Sequence, residues 1–296
     1  MTAFKEFRVE PGARFKLKDR DPADTAGFKS RKEAGERLRE GIQRLRALQE
    51  RLYAYDRWAL LLVFQAMDAA GKDSTIEHVM SGVNPQGCQV YSFKQPSAEE
   101  LDHDYLWRTN KCLPERGRIG VFNRSYYEEV LVVRVHQGIL AAEKLPTEVV
   151  DKDIWKHRYK DIAAYERYLA RNGTAIVKFF LHVSKGEQRR RFLARLDEPQ
   201  KNWKFSVQDA REREHWDAYM AAYEDMIRHT STPEAPWHVV PTDHKWFAHL
   251  SIAATIVERL ERLDLQFPKV EGAALAEMRK VRKALMAERP GRGKHQ

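Results

Sequence analysis

One segment constrains the fold of this chain more than any other: FQAMDAAGKDST, residues 64–75. It follows a short apolar run, residues 58–64, and leads into residues 74–80, which have helical periodicity. A turn of small residues between a buried strand and a helix lets backbone N–H groups converge on phosphate oxygens. The segment therefore predicts a phosphate-binding loop in which Lys72 reaches the phosphate being transferred. The other residues predicted to line the phosphate are Ala69, Ala70, Gly71, Asp73 and Ser74.

The loop departs from the pattern GxxxxGK[ST] at two positions. Ala66 replaces the first glycine, and Asp73 replaces the serine or threonine that binds magnesium. A carboxylate beside bound phosphates is repulsive unless a cation lies between them, so Asp68 is interpreted as a Mg²⁺ ligand. The alternative for Asp68 is an Asx-turn or a helix cap, and capping is the favoured interpretation of Asp73.

Four further apolar runs have the length expected of strands in a parallel sheet. These predicted strands are residues 89–93, 119–122, 175–183 and 237–240. Segments with helical periodicity lie before, between and after them. These predicted helices are residues 29–55, 97–112, 126–137, 147–171 and 273–286. Strands that alternate with helices indicate a doubly wound α/β domain with a parallel sheet.

Two helical segments, residues 185–196 and 206–230, follow each other with no strand between them. In the second, apolar residues recur at the spacing of a core-facing helix: Trp216, Tyr219, Met220, Tyr223 and Ile227. We interpret this insertion as a lid over the phosphate-binding loop. The expected organisation is an irregular arm at residues 1–28, one domain at residues 29–288 with its lid at residues 184–230, and a disordered basic tail at residues 289–296.

A second polar motif, FNRSYYEEV, lies at the end of the third predicted strand, residues 122–130. In proteins with a phosphate-binding loop, a polar residue at the end of a neighbouring strand completes the metal site. Asn123 occupies that position, and the guanidinium of Arg124 has the geometry to bind phosphoryl oxygens in pairs. Glu128 is a further candidate, although a carboxylate at the start of a helix also serves as a favourable terminal charge.

The formal net charge of +9 predicts an anionic partner or substrate. Basic residues concentrate in the predicted lid, where Arg189, Arg191 and Arg195 lie within two helical turns. Such a cluster is self-repulsive without an anion and suits a long phosphate chain, the alternative being a solvated helix face. Lys94, just after the second strand, lies near the same expected path.

Features of secreted, membrane and metal-cluster proteins are missing from the sequence. The longest apolar run is far shorter than the ~20 residues that span a bilayer. Residues 1–10 have no apolar signal-peptide core. Cys88 and Cys112 belong to no metal-binding pattern, nor do the histidines. A cytoplasmic protein with no membrane partner is therefore expected.

Four separated segments resemble the polyphosphate kinase 2 family: residues 67–75, 81–97, 122–130 and 187–206. The resemblance spans roughly residues 28–265. It implies a P-loop kinase of the thymidylate-kinase-like type, a three-layer αβα fold with a parallel five-stranded sheet and a helical lid. It also implies Mg²⁺ as cofactor, with Asp68 and Lys72 matching the Walker A aspartate and lysine and Asn123-Arg124 matching the Walker B position.

The activity implied by this resemblance is phosphoryl transfer from inorganic polyphosphate to nucleotides. Asn123, where many members have aspartate, makes the chain similar to the class III subgroup that acts on nucleoside mono- and diphosphates. One alternative is an ATP-dependent small-molecule kinase with the same fold. A nucleic-acid-binding module is the other, and the sequence lacks its signature of basic residues interleaved with exposed aromatics. A homo-oligomer is left open, with residues 29–55 as the candidate interface.

Overall fold

The computed structural model describes residues 4–288 and is built around a five-stranded, fully parallel sheet. The strand order is β2-β3-β1-β4-β5. The strands are β1 Ala59–Ala66, β2 Cys88–Ser92, β3 Ile119–Asn123, β4 Thr174–His182 and β5 Trp237–Pro241. All five predicted strands are confirmed, with bounds that differ by at most two residues.

The central strands explain the apolar runs of the sequence. β1 lies between β3 and β4, and its residues Leu60, Leu61, Leu62 and Val63 are fully buried. A strand covered on both faces by helices has no solvent side and reads as a continuous apolar run. Because β1 is central, the loop that follows it emerges in the middle of the carboxyl edge of the sheet.

Helices cover the two faces. They are α1 Arg31–Tyr55, α2 Lys72–Met80, α3 Ala98–Leu101, α4 Trp107–Asn110, α5 Val132–Val135, α6 Gln137–Ala142, α7 Ile154–Arg171, α8 Lys185–Asp197, α9 Val207–Arg211, α10 Trp216–Thr230, α11 Lys245–Glu261 and α12 Gly272–Ala287. α11 packs against α1 and α2, while α10 packs against α5 and α7. α8, α9 and α10 lie between β4 and β5, where the helical insertion was expected.

Three predicted helices were too long. Residues 97–112 form only the short helices α3 and α4, because the Asp104 carboxylate accepts from Leu106 N at 2.9 Å and starts a new turn. Residues 126–137 begin as a 3₁₀ helix, Tyr126–Val130, and residues 147–153 precede α7. The segment 206–230 is likewise interrupted, since a 3₁₀ turn, Glu212–His215, separates α9 from α10.

The amino-terminal arm is irregular but packed onto the domain. Phe7, Val9 and Phe15 are buried, and Val9 N donates to the carbonyl of Trp237 at 2.9 Å. Leu17 N donates to the Glu224 carboxylate on α10 at 2.8 Å. The tail expected at residues 289–296 lies outside the described residues. Within residues 4–288, no helix has the length and hydropathy needed to cross a bilayer.

Candidate active site

The turn between β1 and α2 has a backbone that depends on its small residues. Gly71 has φ +97° and Ala69 has φ +60°, both in the left-handed region. A Cβ on Gly71 would lie 3.3 Å from Cε of Lys245 and 3.6 Å from Nη1 of Arg191. Only glycine combines this conformation with such close neighbours. The carbonyl of Gly71 accepts from Thr75 N at 3.0 Å and from Ser74 Oγ at 2.9 Å, which closes the first turn of α2.

Lys72, the first residue of α2, lies half-buried among charged groups. Burial and the neighbouring Arg124 guanidinium lower the pKa of Lys72 to about 8, against the opposing effect of Glu128, Asp68 and Asp73. The ammonium is therefore under-compensated by these carboxylates. A phosphoryl group at this position would supply the missing negative charge.

Arg124 links the end of β3 to the loop. Its Nη2 donates to Oδ1 of Asp68 at 3.0 Å, and its backbone N donates to the carbonyl of Phe64 on β1 at 3.1 Å. The φ of Arg124 is +64°, a conformation that costs energy for a residue with a Cβ and persists where surrounding contacts fix it. The side chains of Arg124 and Asp68 are 38% and 30% exposed, so both can exchange this ion pair for a ligand.

Asn123 joins three elements at the edge of the site. Its Nδ2 donates to Oδ1 of Asp73 on α2 at 2.7 Å and to Oγ of Ser92 on β2 at 3.2 Å. The preferred capping role of Asp73 is therefore wrong: Gly71 is the N-cap of α2, and the Asp73 carboxylate is directed towards β3. Asp68 accepts from Arg124 as described above.

Glu128 and Glu129 point to different surroundings. The side-chain amide of Gln65 on β1 is oriented with its oxygen towards Ser125 and its nitrogen towards Glu128. The nitrogen donates to Oε1 of Glu128 at 2.9 Å, so Glu128 stays beside the loop. Glu129 instead forms a buried ion pair with Arg158 on α7. Burial raises the pKa of Glu129 to about 7, with Arg158 opposing the shift. Of these two carboxylates, Glu128 is the one that lies beside the loop.

A buried polar network holds the segment that follows Arg124. The hydroxyls of Tyr126 and Tyr127 both donate to Oε1 of Glu166 on α7 at 2.8 Å. Lys178 on β4 donates to Oε2 of Glu166 at 2.6 Å and to the Tyr127 hydroxyl at 2.8 Å, and both charged side chains are fully buried. Sequence reasoning missed this network. The signal that could have found it is Lys178, a single lysine within the mostly apolar run 175–183.

Arg191 of α8 is bonded to the loop backbone. Its side chain is 7% exposed, and Nη1 donates to the carbonyls of Ala70 at 2.6 Å and Ala69 at 3.2 Å. Nη2 donates to the carbonyl of Thr242 after β5, and Nε donates to Glu187 at 2.7 Å. Because these donors are engaged, Arg191 holds the shape of the loop.

The other candidate cations differ in their partners. Arg190 forms two 2.6 Å hydrogen bonds with Glu187, so a carboxylate of the same helix offsets part of the charge of this cluster. Arg195 donates to the carbonyl of Lys204 at 3.1 Å. Within residues 4–288, no hydrogen bond or ion pair joins the loop to three candidate cations: Lys94, Arg189 and Arg195.

Three residues near the loop were missed by sequence reasoning. Gln188 is buried and donates to the carbonyl of Asp68 at 2.9 Å. Lys245 approaches Gly71, and burial and Arg191 lower its pKa. Burial, and then the charge of Asp68, raises the pKa of Asp209. Only Lys245 had a sequence signal: a cation at the first position of a helix opposes the helix dipole and therefore indicates another role.

The donor atoms of the site suit magnesium. Asp68, Asp73, Asn123 and Glu128 offer only oxygen ligands once the Asn123 nitrogen is engaged. Within residues 4–288, no group of three or more acidic, histidine or cysteine side chains is arranged to hold a metal by itself. Mg²⁺ typically takes one or two carboxylates and completes its shell with water and substrate phosphates. The partly exposed Asp68 carboxylate fits that mode.

Comparison with known proteins agrees with this geometry. The model of the polyphosphate kinase 2 (PPK2) family matches residues 27–268. An ADP-polyphosphate phosphotransferase of Rhodopseudomonas palustris is 53% identical over 283 residues, 95% of this chain and 98% of that protein. An AMP/ADP-polyphosphate phosphotransferase of Meiothermus ruber is 47% identical, over 91% of this chain and 97% of that protein.

Among solved structures, the polyphosphate kinase 2 of Arthrobacter aurescens TC1 superimposes with a TM-score of 0.86 at 39% identity. The match covers 96% of this chain and the whole of that one. The expected α/β P-loop kinase fold with a five-stranded parallel sheet is therefore confirmed. Because the family model matches residues 27–268, which is most of this chain, this chain belongs to the polyphosphate kinase 2 family.

Proposed function

We propose that this chain transfers phosphoryl groups from inorganic polyphosphate to adenosine nucleotides, forming ATP from ADP and ADP from AMP. The observation that carries the proposal is a family loop in which Lys72 stands under-compensated beside the Asp68–Arg124 ion pair. The relatives named above, which are polyphosphate phosphotransferases of ADP and of AMP and ADP, support the same substrates.

The chemistry requires no nucleophile from the protein. Phosphoryl transfer depends mainly on positioning and on stabilising the charge of the transferred group. The loop would present the backbone N–H groups of Ala69 and Gly71, since that of Ala70 donates to the carbonyl of Met67 at 3.2 Å. Lys72 would neutralise the transferred phosphoryl group. Arg124 would exchange its contact with Asp68 for phosphoryl oxygens, which frees the Asp68 carboxylate for a cation.

Magnesium is the cofactor that this arrangement fits. When bound, Mg²⁺ supplies positive charge to the phosphate oxygens of the substrate. Asp68 and Asn123 would hold it, because both present oxygen atoms at the ends of neighbouring strands β1 and β3. The remaining ligands would come from water and substrate, as is usual for this ion.

The polyphosphate chain would extend from the loop along the lid. Arg189, exposed on α8, has charge available for an anion, as has Lys94 beyond β2. Arg195, 22% exposed, would exchange its 3.9 Å contact with Asp209 for the anion. Lys245 adds a fourth cation at the loop itself. The lid at residues 184–230 and a cytoplasmic location stay predictions.

Donor use tests the function directly. The purified protein is incubated with Mg²⁺, polyphosphate as sole donor, and either ADP or AMP, and the nucleotides are separated by anion exchange. We expect ATP from ADP and ADP from AMP. If a nucleoside triphosphate supports transfer and polyphosphate does not, the chain is an ATP-dependent kinase instead. If ADP reacts and AMP does not, the assignment to both acceptors fails while the donor assignment holds.

A further inference from the structure

The helix α12, Gly272–Ala287, carries apolar side chains with no cover. All sixteen of its residues, which lie within the described part of the chain, are exposed or half-buried. Met278, Val281 and Leu285 are 56%, 50% and 59% exposed. The preceding helix α11 is the opposite case, since twelve of its seventeen residues are buried. The apolar side chains of α12 are therefore available to a partner.

The spacing of these side chains is that of a coiled-coil seam. Ala274, Met278, Val281 and Leu285 are separated by four, three and four residues, as the positions d, a, d and a of successive heptads are. At about 100° per residue these four side chains occupy a stripe about 60° wide, with Leu275 and Met286 beside it on one flank. Their four-three-four spacing suits packing against one other helix.

The charges that flank the seam select the partner and its direction. Glu277 occupies position g and Arg282 occupies position e of the next heptad. In a parallel pair, each g residue faces the e residue five positions further along the other helix, which brings Glu277 of one copy to Arg282 of the other. An antiparallel pair would instead set Glu277 against Glu277 and Arg282 against Arg282. The pattern is self-complementary only in the parallel arrangement.

We propose that α12 pairs in parallel with α12 of a second copy of this chain. The paired segment would be about 24 Å long, from sixteen residues at ~1.5 Å each. Within one helix, Glu277 lies 3.5 Å from Lys280, and both side chains are largely exposed. Pairing therefore replaces a solvated contact with one that flanks an apolar seam. This interface is separate from the α1 surface considered above, because α1 is packed against α11.

Sedimentation equilibrium of the full chain tests self-association. We expect a reversible dimer and a shift to monomer in Leu285→Glu, which places a charge in the seam. Met286→Glu is the matched control: Met286 is 70% exposed and adjacent, but it lies outside the seam. It should leave the dimer unchanged. A monomeric wild-type chain, or a dimer that Leu285→Glu and Met286→Glu affect equally, overturns the proposal.

Charge reversal tests the direction. Glu277→Arg or Arg282→Glu alone should weaken the dimer about tenfold, because each change creates two like-charge contacts in place of two ion pairs. The double variant should recover wild-type affinity, since the pairs are restored with exchanged signs. In an antiparallel dimer each single change replaces one like-charge contact by another, so unchanged affinity in both single variants rules out the parallel arrangement.

Cross-linking gives a second test of the same register. Val281→Cys should oxidise rapidly to a disulfide-linked dimer, because position d faces its own copy in a parallel pair. Lys283→Cys, two residues along at the outer position f, should cross-link no faster than the parent chain, whose Cys88 and Cys112 are half-buried. Equal rates for the two variants contradict the seam.

Binding of wild-type chain to anionic vesicles as a monomer through this helix would assign the face to lipid and overturn the pairing.

Discussion

Arg191 on α8 and Ala70 in the phosphate-binding loop are joined by a 2.6 Å hydrogen bond from guanidinium Nη1 to the main-chain carbonyl. Two further bonds, to the carbonyls of Ala69 and Thr242, connect the same side chain to the loop and to the end of β5. Arg191 was predicted from the sequence to bind phosphate. Its contacts instead fix the position of the loop carbonyls relative to α8.

This contact predicts different outcomes for two neighbouring arginines. Arg191→Met should lower the free energy of unfolding by about 2 to 4 kcal/mol, because it leaves the buried carbonyls of Ala70 and Thr242 without this donor. Arg190→Met, which changes a side chain that is 71% exposed, should stay within about 0.5 kcal/mol of wild type. Urea unfolding of the two variants makes the comparison. Similar midpoints for both would mean that Arg191 does not hold the loop.

The role of Asp68 is tested by its amide. Asp68→Asn keeps the shape and an acceptor for Arg124, but it removes the charge that would hold Mg²⁺. We expect activity to collapse, or to require much more Mg²⁺, while the free energy of unfolding stays within about 1 kcal/mol of wild type. Asp151→Asn, at a turn before α7, is the control for the same chemical change. An unchanged Mg²⁺ response in Asp68→Asn would contradict the metal role.

Much of the fold could be predicted because local pattern and burial agree. The strand β1 lies at the centre of the sheet, and its residues 59–64 are apolar without interruption. Along α10, the spacing of Trp216, Tyr223 and Ile227 marks the face that is buried. The loop was recognisable because a small-residue turn with a lysine separates β1 from α2.

The remaining features depend on contacts between distant residues. The segment that begins at Tyr126 has helical periodicity, yet its tyrosine hydroxyls are held by Glu166, forty residues away, and it forms a 3₁₀ helix. The approach of Lys245 to Gly71 joins α11 to the loop across more than half of the chain. Sequence spacing carries no record of such pairings, so these parts of the site required the structure.

The buried network beneath Arg124 can be tested with one hydroxyl. Tyr127→Phe removes the group that donates to Glu166 and accepts from Lys178, which should cost about 1 to 3 kcal/mol in unfolding free energy because both partners are buried. Turnover should also fall, since Tyr127 fixes the segment between Arg124 and Glu128. Tyr165→Phe, whose hydroxyl bonds to Asn110 near solvent, is the control. If Tyr127→Phe loses no more stability than Tyr165→Phe, the network does not support the segment.

The lowered pKa of Lys72 predicts a stability effect with a definite sign. Its folded pKa of about 8 lies below the ordinary value of 10.5, so folding disfavours the charged form. This cost is fully present below pH 8 and is lost as the pH rises towards 10.5. Lys72→Met should therefore have a higher Tm than wild type at pH 7, and the difference should shrink by pH 10. A difference that is independent of pH, or of opposite sign, would contradict the assigned pKa.

The central claim is that this loop performs the transfer from polyphosphate, and the turnover of Lys72→Met tests it most directly. The assay measures ATP formed from ADP with polyphosphate as sole donor, alongside a melting curve and Lys156→Met, an exposed lysine of α7, as control. We predict that Lys72→Met stays folded and loses at least about 10²- to 10³-fold in turnover, while the control is unaffected. If Lys72→Met is folded and keeps about a third of wild-type turnover, Lys72 does not belong to the reaction centre, because removal of a principal electrostatic contact should cost far more.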